Sequence, residues 1–61
     1  MPLVIVKMLA GRSAEQKRAL AKEITEVVVR VAKTTTDQVD VVIEDHDSGN
    51  WAKGGVLFSD K

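Results

Sequence analysis

Four residues in a chain of 61 hold most of its chemical potential: Pro2, Arg12, His46 and Trp51. Pro2 stands directly after Met1, at the head of the strand-like run "LVIVKML". Proline lacks a backbone N–H, and the first position of a strand is one of the few places in a sheet that accepts it. A second reading is chemical. Removal of Met1 would turn Pro2 into a free secondary amine. An ordinary α-amine titrates near 8, and burial in an apolar pocket beside a cation lowers that value. A neutral amine near pH 7 can act as a general base or attack a carbonyl. With Met1 attached, the same nitrogen is an amide and has no basic lone pair.

Arg12 lies in "GRS", between a strand and a helix. A loop arginine is commonly only solvated, yet a guanidinium also grips a carboxylate with two hydrogen bonds. Trp51, the single tryptophan, reads either as a core or interface aromatic or as an apolar wall that dries a site. His46 sits between Asp45 and Asp47. One histidine and two aspartates on a turn lack metal-ligand spacing, and a solvated turn is the better reading. The "KGG" stretch lacks the spacing of a phosphate loop.

The elements that must position these residues follow from the pattern. Leu3–Leu9 predicts a strand. One face carries Leu3, Ile5 and Leu9 with Lys7, and the other carries Val4, Val6 and Met8. Both faces are mostly apolar, as in a strand covered on two sides. "SAEQ" then places Ser13 as N-cap with Gln16 three residues on, a capping box, and Glu15 suits the positive helix end. Leu20, Ile24, Val27, Val28 and Val31 form one helical face, while Lys17, Arg18, Lys22, Glu23 and Glu26 fall mainly elsewhere. The helix stops at Thr34–Asp37, where β-branched residues disfavour it. Lys33 suits the negative helix end. Val39–Glu44 predicts a second strand, "DSGN" a turn, and "WAKGGVLF" a short terminal hairpin freed by Gly54 and Gly55.

Strand, long helix, strand is a βαβ unit, with parallel strands and a right-handed crossover. The predicted fold class is α+β: two parallel strands, one long helix and a short C-terminal β-hairpin, in a single domain over 1–61. One helix covers one sheet face, and little remains to cover the other. Two strands and a helix do not make a stable domain alone, so the second apolar face should be an interface. Pro2 and Arg12 flank the same strand, about 23 Å apart at the rise of an extended chain. They could meet only across a subunit boundary.

Composition narrows the classes further. A small domain usually needs disulfides, a metal or oligomerisation. There is no cysteine and only one histidine, which leaves oligomerisation. Nine basic and nine acidic residues balance, which disfavours a nucleic-acid binder, including a small strand–helix DNA-binding dimer. No apolar stretch is long enough to span a bilayer, and no secretory signal is present. The expectation is a soluble, cytoplasmic protein with no membrane or nucleic-acid partner.

Together these pieces resemble the 4-oxalocrotonate tautomerase family, the short branch of the tautomerase superfamily. The resemblance covers nearly the whole chain. It is carried by the "MP" start, "GRSAEQK" at 11–17, "VVIED" at 41–45 and "NWAKGG" at 50–55. It implies a tautomerase-like (MIF-like) fold assembled as a hexamer, a trimer of dimers, of one kind of chain or two related ones. It also implies a cofactor-free, metal-free isomerase. The processed proline matching Pro2 would move a proton between carbons of a small enol or dienol carboxylate such as 2-hydroxymuconate. Arg12 matches the arginine that binds the substrate carboxylate, and Trp51 the aromatic that lines the pocket.

Two departures stand out. Asp40 occupies the place of a second arginine, where a carboxylate would repel a dianionic substrate. Lys53 replaces the glutamate with which a related dehalogenase branch activates water, so proton transfer is the better reading. Asp40 also supports a reading from another class: a non-catalytic or partner-dependent subunit of a hetero-oligomer.

Overall fold

The computed structural model describes residues 1–61. Strand β1 (Leu3–Leu9) is followed by helix α1 (Ala14–Ala32), a 3₁₀ turn at Thr36–Gln38, and strand β2 (Asp40–His46). A second 3₁₀ turn at Ser48–Asn50 leads into strands β3 (Ala52–Lys53) and β4 (Val56–Leu57), and a last 3₁₀ turn covers Phe58–Asp60. Strands β1 and β2 pair in parallel, from Leu3 beside Asp40 to Leu9 beside His46. Strands β3 and β4 form a separate antiparallel hairpin.

Helix α1 begins where the capping pattern requires. The Gln16 N–H donates to Ser13 Oγ at 3.1 Å, and the Ser13 N–H donates to Gln16 Oε1 at 2.9 Å. Two of the orphan donors of the first turn are thereby satisfied. The helix closes on Lys33, whose φ of 56° lies in the left-handed region. Its backbone N–H returns to the Val29 carbonyl.

Helix α1 lies over one face of the sheet. Val4, Val6, Met8, Val41 and Ile43 are half-buried there, opposite Leu20, Ile24 and Val28. The other face is open: Leu3 is 57%, Ile5 50% and Val42 42% exposed. No residue of the isolated chain reaches full burial. The Cα radius of gyration is 14.5 Å, against roughly 10–11 Å for a compact chain of this length. The C-terminal arm extends the molecule instead of closing its core. Contiguous apolar surface of this kind marks an interaction face.

Two sequence expectations need correction. Strand β2 runs two residues further than Glu44, because the β1 partners Met8 and Leu9 continue the ladder beside Asp45 and His46. The half-buried helix stripe is Lys17, Leu20, Ala21, Ile24, Thr25, Val28 and Val29, leaving Val27 and Val31 exposed. Hydropathy alone placed those two valines on the packed face. Instead, Lys17 and Thr25 occupy it, each with its polar atom bonded: Thr25 Oγ1 donates to the Ala21 carbonyl at 2.7 Å, and Lys17 pairs with Asp45.

Candidate active site

Pro2 immediately precedes β1 and is half-buried. Its carbonyl accepts the Asp40 N–H at 2.9 Å, so the first bond between the two strands fixes the proline in place. Its missing N–H costs no ladder bond at this position. Met1 is 86% exposed in the single chain. Asp40, the first residue of β2, is exposed and in register with Leu3 on the open sheet face. The proline and this carboxylate residue therefore share one end of the sheet.

Arg12 stands at the opposite end, in the loop between β1 and α1. Three features hold that loop. The Ala10 N–H donates to the His46 carbonyl at 2.9 Å. Gly11 turns the chain at φ 127°, a conformation closed to other residues. The Ser13–Gln16 capping box anchors the far side. Arg12 lines a cavity of about 190 Å³ with Met8, Gln16, Lys17 and Leu20. Lys17 spans from the first helical turn to the Asp45 carboxylate, in an ion pair about one-third exposed on each side. The result is an apolar floor with two cations at its rim, which suits a small organic anion.

Trp51 is half-buried just beyond the second 3₁₀ turn. Its ring meets His46 edge-on at 5.9 Å and stacks on Phe58 at 6.4 Å. Its carbonyl accepts the Phe58 N–H at 2.8 Å. Gly54 and Gly55, at φ 63° and 82°, close the β3–β4 hairpin with the two left-handed residues a tight hairpin turn needs. This arm presents Lys53, Val56 and Leu57 to the exterior. His46 ends β2 and is half-buried against Trp51, in contrast to the solvated turn expected from its flanking aspartates. Its Nε2 lies 3.5 Å from Glu44 Oε1, and Lys7 Nζ approaches the same carboxylate oxygen at 4.0 Å.

Within one protomer the geometry groups Pro2 with Asp40, and Arg12 with Lys17. Trp51 follows the end of β2 that Arg12 faces. Pro2 does not meet Arg12 or Trp51, because the whole of β1 intervenes. Sequence reasoning passed over Lys17 by assigning it to the outer helix surface. The signal was present, since position 17 precedes Leu20 by three and Ile24 by seven, on the same helical stripe.

The sequence model of the tautomerase enzymes matches residues 2–61. The chain belongs to the tautomerase family. A probable tautomerase of Bacillus cereus is 43% identical over 61 residues, covering all of both chains. The crystal structure of a 4-oxalocrotonate tautomerase homologue superposes with a TM-score of 0.95 at 39% identity, covering 100% of this chain and 97% of that one. A heterohexamer 4-oxalocrotonate tautomerase from Chloroflexus aurantiacus gives a TM-score of 0.91 at 29% identity, covering 97% and 95%. The α+β architecture with its βαβ unit and C-terminal hairpin is thus that of the 4-oxalocrotonate tautomerase homologues. No helix of this tautomerase-family chain is long and apolar enough to cross a membrane.

Proposed function

We propose that the chain is a cofactor-free tautomerase that moves a proton in a small enol or dienol carboxylate, a 2-hydroxymuconate-like compound, with the processed Pro2 amine as general base. The observation that carries the reading is the family match, which starts at Pro2 and runs through residue 61. In this reading the neutral amine removes the enol hydroxyl proton and returns it to the third or fifth atom of the conjugated system, counted from that oxygen, as the C=O forms and the double bonds shift: a 1,3- or 1,5-transfer. Arg12 grips the carboxylate with two hydrogen bonds, which holds the reacting carbons against the base. Trp51 supplies an apolar wall, which favours the uncharged amine.

The site is completed across a subunit boundary. The separation of Pro2 and Arg12 by seven strand residues supports this, and so does the open face of Leu3, Ile5 and Val42. A hexamer of one chain, or of this chain with a related one, is the assembly we infer. The protein acts in the cytoplasm, on a soluble substrate, without nucleic-acid or membrane partners.

A second reading is a subunit without its own turnover, completed by a related chain. Asp40 beside Pro2 favours it, since a carboxylate there opposes an anionic substrate. Intact mass and enol ketonisation of wild type and Pro2→Ala separate the two. Loss of Met1, turnover by wild type and at least about a hundredfold loss in Pro2→Ala support the enzyme. Retained Met1 without turnover by wild type supports the inactive subunit, and equal rates in wild type and Pro2→Ala remove the proline from the mechanism.

A further inference from the structure

The cavity at the β1–α1 junction carries two cations that are not equivalent. Lys17 is engaged: its ammonium donates to Asp45 on β2. Gln16 is engaged by the Ser13 N–H. Arg12 makes no ion pair and no side-chain hydrogen bond within the chain. Asp45 is in register with Met8, which forms part of the floor under Arg12. The Asp45 carboxylate is thus bonded to one cavity-lining cation, Lys17, while the other, Arg12, has no acidic partner within the chain.

A guanidinium takes a carboxylate in a two-pronged grip that an ammonium point charge cannot match. Left to itself, Asp45 would compete for Arg12, and an arginine closed on an internal acid no longer receives an external one. We infer that Lys17 is a positioning residue: by occupying Asp45 it keeps the Arg12 guanidinium free for a ligand carboxylate. This rests on the reading of Arg12 as the carboxylate clamp and assigns Lys17 a part in it.

A simple structural tether between α1 and β2 makes a different forecast, so the two are separable. Fumarate, an unreactive dicarboxylate, would be titrated into wild type, Lys17→Met, Asp45→Asn and the double variant, following the Arg12 Nε–H resonance by NMR. KM and kcat for an enol carboxylate would be measured alongside. Lys17→Met is expected to weaken fumarate about tenfold or more, the loss of one charge-assisted contact, and to raise KM more than it lowers kcat. Lys17→Met with Asp45→Asn is expected to recover binding, because no internal acid remains to capture Arg12. Asp45→Asn alone should bind at least as tightly as wild type, and Lys17→Arg should retain binding.

A double variant as weak as Lys17→Met overturns the inference, and so does a Lys17→Met that binds like wild type. Should Lys17→Met not fold, Lys17→Gln takes its place: weaker fumarate binding that Asp45→Asn restores supports the inference, and binding like wild type overturns it. If the binding pattern holds while Pro2→Ala turns over normally, the assignment of Pro2 as the base fails and this one stands. If fumarate leaves Arg12 unperturbed in wild type, the clamp and its positioning residue fall together.

Discussion

The Asp40 N–H donates to the Pro2 carbonyl at 2.9 Å. One hydrogen bond thus joins the residue proposed as base to a residue that carries a carboxylate at the same end of the sheet. The same bond starts the β1–β2 ladder, so Asp40 cannot leave the neighbourhood of Pro2 without opening the sheet.

A carboxylate held there favours the protonated form of a neighbouring amine and repels a second negative charge. Asp40→Asn should therefore shift the acid limb of kcat/KM toward lower pH. It should also raise the rate on a dianionic enol acid more than on a monoanionic one. Asp40→Arg should extend the preference for the dianion. The pH–rate profiles of the three proteins on both substrates check this.

The open sheet face should be covered by other copies in solution. Ile5 lies at the centre of that face and is half exposed in the single chain. Ile5→Lys places a charge where assembly would bury it, which costs several kcal/mol when no partner is supplied. Light scattering should give a multimer for wild type and a smaller, destabilised species for the variant.

Lys33 adopts a left-handed backbone at φ 56° to close α1. That conformation strains a residue with a Cβ and suits glycine. Lys33→Gly should stabilise the fold by about 0.5 kcal/mol, net of the extra entropy glycine brings to the unfolded chain. Chemical denaturation at fixed protein concentration measures it.

Asp37 sits in the 3₁₀ turn that delivers β2 to Pro2. A hydrogen bond from Thr35 Oγ1, at 2.7 Å, is the main cause that holds its carboxyl below the usual carboxylate range. Backbone and Gln38 hydrogen bonds add to it. Because the folded value lies below the unfolded one, this contribution to stability is fully present above the ordinary carboxylate range. It is lost as pH falls through the depressed value. Thr35→Val should move the Asp37 titration upward, as read from side-chain carboxyl shifts by NMR.

Much of the architecture was legible because local chemistry dictated it. The Ser13–Gln16 box fixed the start of α1, the apolar run fixed β1, and Gly54–Gly55 fixed the hairpin turn. The limits of β2 were not legible, since Asp45 and His46 look like turn residues. Their pairing with Met8 and Leu9 is what makes them strand. The packed face of α1 was misjudged at Val27 and Val31 because hydropathy does not show which apolar stripe meets the sheet and which is left outward. For the candidate site, the residue types at positions 2, 12 and 51 were readable. The Lys17–Asp45 pair was not, because it joins groups 28 positions apart.

The central claim is that the Pro2 base of one protomer works with the Arg12 clamp of another. Subunit mixing tests it most directly. Pro2→Ala and Arg12→Ala chains, each nearly inactive alone, would be unfolded, combined in equal amounts and reassembled. A site shared between two protomers recovers about one quarter of wild-type activity from random symmetric assembly, since each needed residue is present half the time. Mixed assemblies that form but stay as inactive as their parents would contradict the account.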